Sequence, residues 1–154
     1  MFDTIFGLPV HALVIHAVVV LLPLAALLVV VMAAVPRWRP ALRWPTLALA
    51  VIAVANIPVA TRSGHALERR IGSSELIDDH RELGDTMIWF GLAMLVLTAA
   101  FVFADRARQR GPVVAGLAVL AVLASGAATV QVMRTGHAGT TAVWQPIVDA
   151  TEGG

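Results

Sequence analysis

The sequence predicts an all-α fold: an integral membrane four-helix bundle running up, down, up and down, with spans 2 and 3 extended outside the membrane as a helical hairpin. Three observations predict it. Of the 154 residues 58% are hydrophobic and only 14% charged, with a mean hydropathy of +0.82, whereas a soluble domain carries about a quarter charged residues. The apolar residues fall into four stretches, 8–35, 41–61, 86–104 and 113–133, each about the 20 residues that a bilayer crossing needs. Arginine is concentrated in alternate connectors, as the positive-inside rule requires of a multi-pass chain.

Span 1 precedes the first arginine, Arg37. Without a basic n-region, and with so long an apolar run, it reads as a true span rather than a cleaved signal peptide. Arg37, Arg39 and Arg43 follow it, and Arg106, Arg108 and Arg110, beside the single acid Asp105, separate spans 3 and 4. The opposite side holds Arg62, Arg69, Arg70, Arg81 and Arg134 against nine acids. This asymmetry predicts that both termini and the middle connection lie outside. Trp38 and Trp44 are expected at the inner interface, Trp89 and Trp144 at the outer one.

Pro23 and Pro58 are expected to bend spans 1 and 2. Beyond span 2 the helical pattern runs on through Arg70 with only Gly64 against it, and Gly72 reads as a stop. Ser73 or Ser74 then caps a helix with Glu75 in its first turn. Leu76, Ile77, His80, Leu83, Met87 and Ile88 keep helical spacing into span 3. In span 4, Ala121, Ser125 and Thr129 form a small-residue face suited to close packing. Asn56 and Gln131 read as interhelical hydrogen bonders. The tail from Thr140, with an apolar patch at Val143, Trp144 and Ile147, is expected to lie along the outer surface. No repeat or linker divides the chain, so residues 1–154 read as a single four-span domain.

Composition excludes several functions. Cysteine is absent, which removes disulfides, thiol catalysis, zinc–cysteine sites, iron–sulfur ligation and covalent C-x-x-C-H haem attachment. Every one of the 11 basic residues is Arg, so there is no P-loop or Schiff-base lysine. A net charge of +1 gives no electrostatic case for a nucleic-acid partner. Residues 17–35, 46–61, 86–104 and 113–133 contain no Asp, Glu, Arg or His, which argues against a pump, transporter or charged channel. Ser125 has no base at its depth and no nucleophile-elbow pattern around it, which argues against a hydrolase.

The five histidines, His11, His16, His65, His80 and His137, all fall at the outer ends of the spans. Reflecting each hairpin about its turn, near residues 40.5, 72.5 and 108.5, sends 16 to 65, 65 to 80 and 80 to 137. His16, His65, His80 and His137 are therefore expected in one layer, one per helix, with His11 about 7.5 Å further out at the helical rise. Imidazole ligates haem iron, copper and zinc, and bundle cores gather such ligands from facing helices. The bland reading of any single histidine is a half-polar ring at a membrane interface. The set of four points to a cofactor: haem b on two of them, or copper or zinc in the same layer. Asp78, Asp79, Glu82 and Asp85 flank His80 and could orient imidazole N–H groups. Arg62, Arg69, Arg70, Arg81 and Arg134 could pair with haem propionates.

The opening Leu8-Pro9-Val10-His11-Ala12-Leu13-Val14-Ile15-His16 resembles the L-P-x-H-x-x-x-x-H start of a family of small bacterial four-span proteins, domain of unknown function 2231. The likeness continues in His80-Arg81-Glu82-Leu83-Gly84 before span 3 and in Gly136-His137-Ala138-Gly139 after span 4. Ala12 stands where many members have Pro. The resemblance implies a bacterial inner membrane protein. Some relatives are joined to Rieske-type or cytochrome domains, which implies a membrane redox role.

The leading functional expectation is a haem-binding electron carrier rather than a catalyst. It would pass single electrons between a quinol or membrane partner and an extracytoplasmic acceptor. The alternatives are a copper or zinc module, and a non-catalytic subunit of a homo-oligomer or larger membrane complex.

Overall fold

The structure, a computed structural model, describes residues 4–5 and 8–152. Four long helices dominate: α1 (Val10–Ala34), α2 (Arg39–Ile71), α3 (Glu75–Arg106) and α4 (Gly111–Glu152). A two-residue antiparallel pair, Thr4–Ile5 with Leu8–Pro9, precedes α1. All four helices are long and apolar enough to cross a membrane. Each packs against its neighbours around a ring, α1 on α2 and α4, and α3 on α2 and α4, while α1 and α3 stand nearly apart on the diagonal. This is the expected up-and-down bundle. Asp3, one of the acids assigned to the outer side, lies outside the described residues.

The connections follow local chemistry. α1 stops where Pro36 withholds its N–H, and Pro36–Trp38 forms one 3-10 turn before α2 begins at Arg39. The inner turn is thus centred near Arg37, about four residues earlier than the arginine pattern suggested, because Arg39 and Arg43 already belong to α2. α2 ends at Gly72, whose φ of +88° favours a residue without a Cβ. Ser74 caps α3 by accepting from the Ile77 amide, and Ser73 Oγ donates to Asp78 at 2.8 Å. α2 and α3 therefore do extend beyond the apolar stretches as a helical hairpin.

The C-terminal tail differs from expectation. It is a helical continuation of α4, through Pro146 to Glu152. At 42 residues the helix is about 63 Å long by its rise, twice the roughly 30 Å hydrocarbon core of a bilayer. Trp144 consequently stands some 16 residues, about 24 Å, beyond the level of Trp89, and the two do not mark one interface. The outer third of α4 instead forms a wall beside the hairpin.

Two packed clusters fill the bundle. The outer one joins Leu22, Ala25, Ala50, Ala53, Ile57, Met87, Met94, Ala128 and Val132. The inner one joins Val29, Met32, Phe101, Val102, Val114, Ala118 and Ala121. Because lipid tails are as apolar as these side chains, close van der Waals contact rather than water exclusion holds the helices together. Gly91 shows how close: a Cβ there would lie 2.6 Å from Ile57 Cδ1. Ala121 and Ser125 are buried as expected. Gln131 Nε2 donates to Leu83 O and Thr86 Oγ1, both at 3.0 Å, tying α4 to α3. Asn56 departs from expectation and bonds its own helix at Ile52 O.

Candidate cofactor site

Above the outer cluster the four helices separate around a half-open cavity of about 430 Å³. Its wall is mainly apolar: Ile15 of α1, Leu67 and Ile71 of α2, Ile77 of α3, and Val143 and Trp144 of α4. Three histidines reach it, His11, His65 and His80.

His11 and His80 are held by the same device. His11 Nδ1 is 3.0 Å from the Ala60 carbonyl oxygen and 3.3 Å from Ser63 Oγ. His80 Nδ1 is 2.9 Å from the Thr135 carbonyl oxygen. A carbonyl only accepts, so each neutral imidazole carries its proton on Nδ1 and leaves Nε2 with a bare lone pair. In both cases the carbonyl lies four residues before a glycine on the same helix, and the ring packs on that glycine. A Cβ at Gly64 would lie 3.1 Å from His11 Cε1, and one at Gly139 would lie 2.8 Å from His80 Cε1. A helix carbonyl is screened by the side chain one turn on; glycine uncovers it and admits the ring. Hairpin α1–α2 and hairpin α3–α4 thus each contribute one imidazole. The two rings meet edge-on across the bundle, centroids 6.2 Å apart and planes at 74°.

His65 is differently engaged. Its Nε2 stands 3.0 Å from Asp85 Oδ1 across the α2–α3 interface, although the contact lacks hydrogen-bond alignment. Arg81, also on the cavity wall, contacts Asp78 at 3.2 Å and Glu68 at 3.6 Å. Asp78 is held below the usual carboxylate range, first by the Ser73 hydroxyl and then by Arg81. The Arg81 guanidinium is correspondingly raised, chiefly by its bond to Asp78.

His16 and His137 do not line the cavity. His16 lies on the outward stripe of α1 with Leu13, Val20 and Leu24, and donates from Nδ1 to the Ala12 carbonyl of its own helix. His137 has the height of His80 but faces outward, one residue round the helix from Gly136 on the cavity wall. Reflecting the hairpins gives height and not azimuth. The earlier inner turn also brings His11, rather than His16, level with α2 around Gly64. Asp79, Arg62 and Arg134 are exposed, and none of them lines the cavity. At His11 and His80 the Nδ1 groups are oriented by backbone carbonyls where Asp78, Asp79, Glu82 and Asp85 had been expected, because the glycines make those carbonyls accessible; of the four acids Asp85 meets an imidazole, that of His65. Sequence reasoning missed Gly64, Gly139 and Glu68. The signal was present in Gly64-His65 and Gly136-His137-Ala138-Gly139, which put glycines one helix turn after the two carbonyls.

Among the described residues no three His, Cys, Asp or Glu side chains converge to hold a metal ion. Among the described residues the imidazoles on the cavity wall whose Nδ1 is bonded to a backbone carbonyl are His11 and His80. Their separation suits one metal atom held between rings, since metal–imidazole bonds of about 2.0–2.1 Å put two such rings roughly 6 Å apart.

The chain matches the family model described as a predicted membrane protein, DUF2231, over residues 7–152. It belongs to that family. No curated protein and no solved structure matches it. The match covers all four helices and the whole cavity.

Proposed function

We propose that the protein is a membrane-embedded b-type haem protein that transfers single electrons near the extracytoplasmic face. The observation that carries the reading is the His11–His80 pair: two imidazoles from separate helices, each with Nδ1 committed to a backbone carbonyl, Nε2 free, and 6.2 Å between centroids. Fixing the tautomer through the second nitrogen is how proteins present a ligating imidazole. His11 and His80 would hold the haem, which would supply a one-electron couple when bound.

The remaining wall suits a flat macrocycle. A Cβ at Gly84 or Gly136 would meet nothing within 4 Å, so these glycines leave the cavity open down to the backbone. A volume of about 430 Å³ falls within the range of about 300–1,000 Å³ usual for cofactor pockets. Arg81 would offset propionate charge, with Glu68 and Asp78 holding its guanidinium. His65, engaged by Asp85, serves as a polar wall residue rather than a ligand. Zinc and copper sites of three or four ligands find too few donors here. The arginine asymmetry supports a bacterial inner membrane orientation with both termini and the cavity outside. A quinol or a membrane redox protein is the class of electron donor that such a site would meet.

Protein purified from cells supplied with haem precursor should show the visible spectrum of low-spin iron with two nitrogen ligands, unchanged by carbon monoxide. A colourless protein, or a spectrum that carbon monoxide shifts, contradicts the proposal.

A further inference from the structure

The opposite, arginine-rich end carries a second feature. Trp44, near the start of α2, is 44% exposed and sits between two guanidinium groups, with Arg43 at 6.0 Å and Arg106 at 5.8 Å from its ring centroid. Phe103 of α3 meets the same ring edge-on at 6.0 Å. Arg43 Nε is buried and has no hydrogen-bond partner among the described residues. The acid at this end, Asp105, is already taken by Arg39 at 3.1 Å. Directly below Trp44, on the outward face of α2, runs a shallow groove of about 460 Å³ lined by Trp44, Leu47, Ala48, Val51 and Ile52. These positions follow helical spacing and make a strip running from the guanidinium level into the hydrocarbon zone.

We propose that this groove binds an acidic phospholipid: the phosphate on Arg43 and Arg106, an acyl chain along Ala48, Val51 and Ile52. The charge complementarity is one-sided, because six arginines at this end face one carboxylate that is already paired. A guanidinium donor without a partner at the membrane interface is satisfied by a phosphate oxygen. Stacking on Trp44 holds Arg106 in place through cation–π attraction, and Phe103 braces the Trp44 ring edge-on. Basic clusters at the ends of spans recognise anionic headgroups in this way, at about fivefold in affinity per arginine. Ala48 supplies the concavity: a larger side chain there would fill the groove. The site lies at the other end of the bundle from the histidines and does not depend on them.

The test uses the full chain in detergent, mixed with equal amounts of phosphatidylglycerol and phosphatidylcholine, with bound lipid counted by native mass spectrometry. The wild type should retain phosphatidylglycerol preferentially. R43Q and R106Q should each lower that preference about fivefold, and A48F, on an exposed lipid-facing position, should lower retention without touching any charge. Equal retention of the two lipids by the wild type overturns the proposal. So does a preference that survives R43Q, R106Q and A48F alike. Displacement of the lipid by inorganic phosphate alone would reassign the site to a free anion and equally overturn it.

Discussion

The two ends of the bundle are built from the same four helices and solve opposite problems. At the inner end Met32, Phe101 and Val102 interlock to near-complete burial, and the Arg39 side chain closes over them, bonding Met32 O, Ala33 O and Asp105 while resting 5.1 Å above the Phe101 ring. At the outer end, large side chains give way to Gly64, Gly84, Gly136 and Gly139, and the space is left open. At mid-span and at the outer end a glycine governs how near a neighbouring helix or ring comes. At Gly91 the approach is helix to helix through Ile57. At Gly64 and Gly139 it is helix to imidazole. Close approach at mid-span makes a packed core; close approach at the outer end makes a holder for two rings and leaves the middle empty.

The sharpest way to break this contrast is to put a side chain under one ring. Gly139→Val must displace His80, since even a Cβ there stands 2.8 Å from Cε1. We expect haem retention to fall more than tenfold while the helical circular dichroism is kept. Gly136→Ala, with nothing within 4 Å of the added atom, should be nearly neutral. Equal haem content in the two variants would remove the holder from the account. At mid-span, Gly91→Ala drives a methyl to 2.6 Å of Ile57 Cδ1 and should cost about 1–3 kcal/mol of overpacking, read in denaturant unfolding, with the haem spectrum unchanged.

The smallest effect concerns the outer hairpin turn. Asp78 has its acidity strengthened by Ser73 and Arg81, so its folded pKa lies below its unfolded one. Its contribution is complete above about pH 4, the unfolded value, and is lost as pH falls through the folded value. Thermal unfolding of the wild type should weaken slightly over that acid range. Asp78→Asn should show less of this pH dependence, and an identical dependence would detach the turn from Asp78.

Much of this contrast was legible in the sequence, and the limit of legibility is physical. Hydropathy and arginine placement report what a residue meets across the membrane normal, so the four helices, their lengths through α3 and the gathering of all five histidines toward the end of the bundle opposite the arginine-rich turns could be read directly. Gly72 and Ser74 announced the hairpin turn through backbone and capping chemistry. Rotation about each helix axis was not legible in the same way. His16 and His137 were expected beside His65 and His80, yet their side chains face away, because azimuth depends on which face packs and on where the preceding turn falls. Pro36 moved that turn by about four residues and, through reflection, exchanged His16 for His11. The continuation of α4 past Thr140 lies beyond the apolar stretch that hydropathy reports, and α4 accommodates Pro146 within its length.

The most direct measurement is haem content per chain in His11→Ala beside His16→Ala, purified identically with the wild type. With ligation by His11 and His80, His11→Ala loses bound haem or its low-spin spectrum, while His16→Ala keeps the wild-type stoichiometry and spectrum. Loss in His16→Ala with retention in His11→Ala would contradict the pairing at its root.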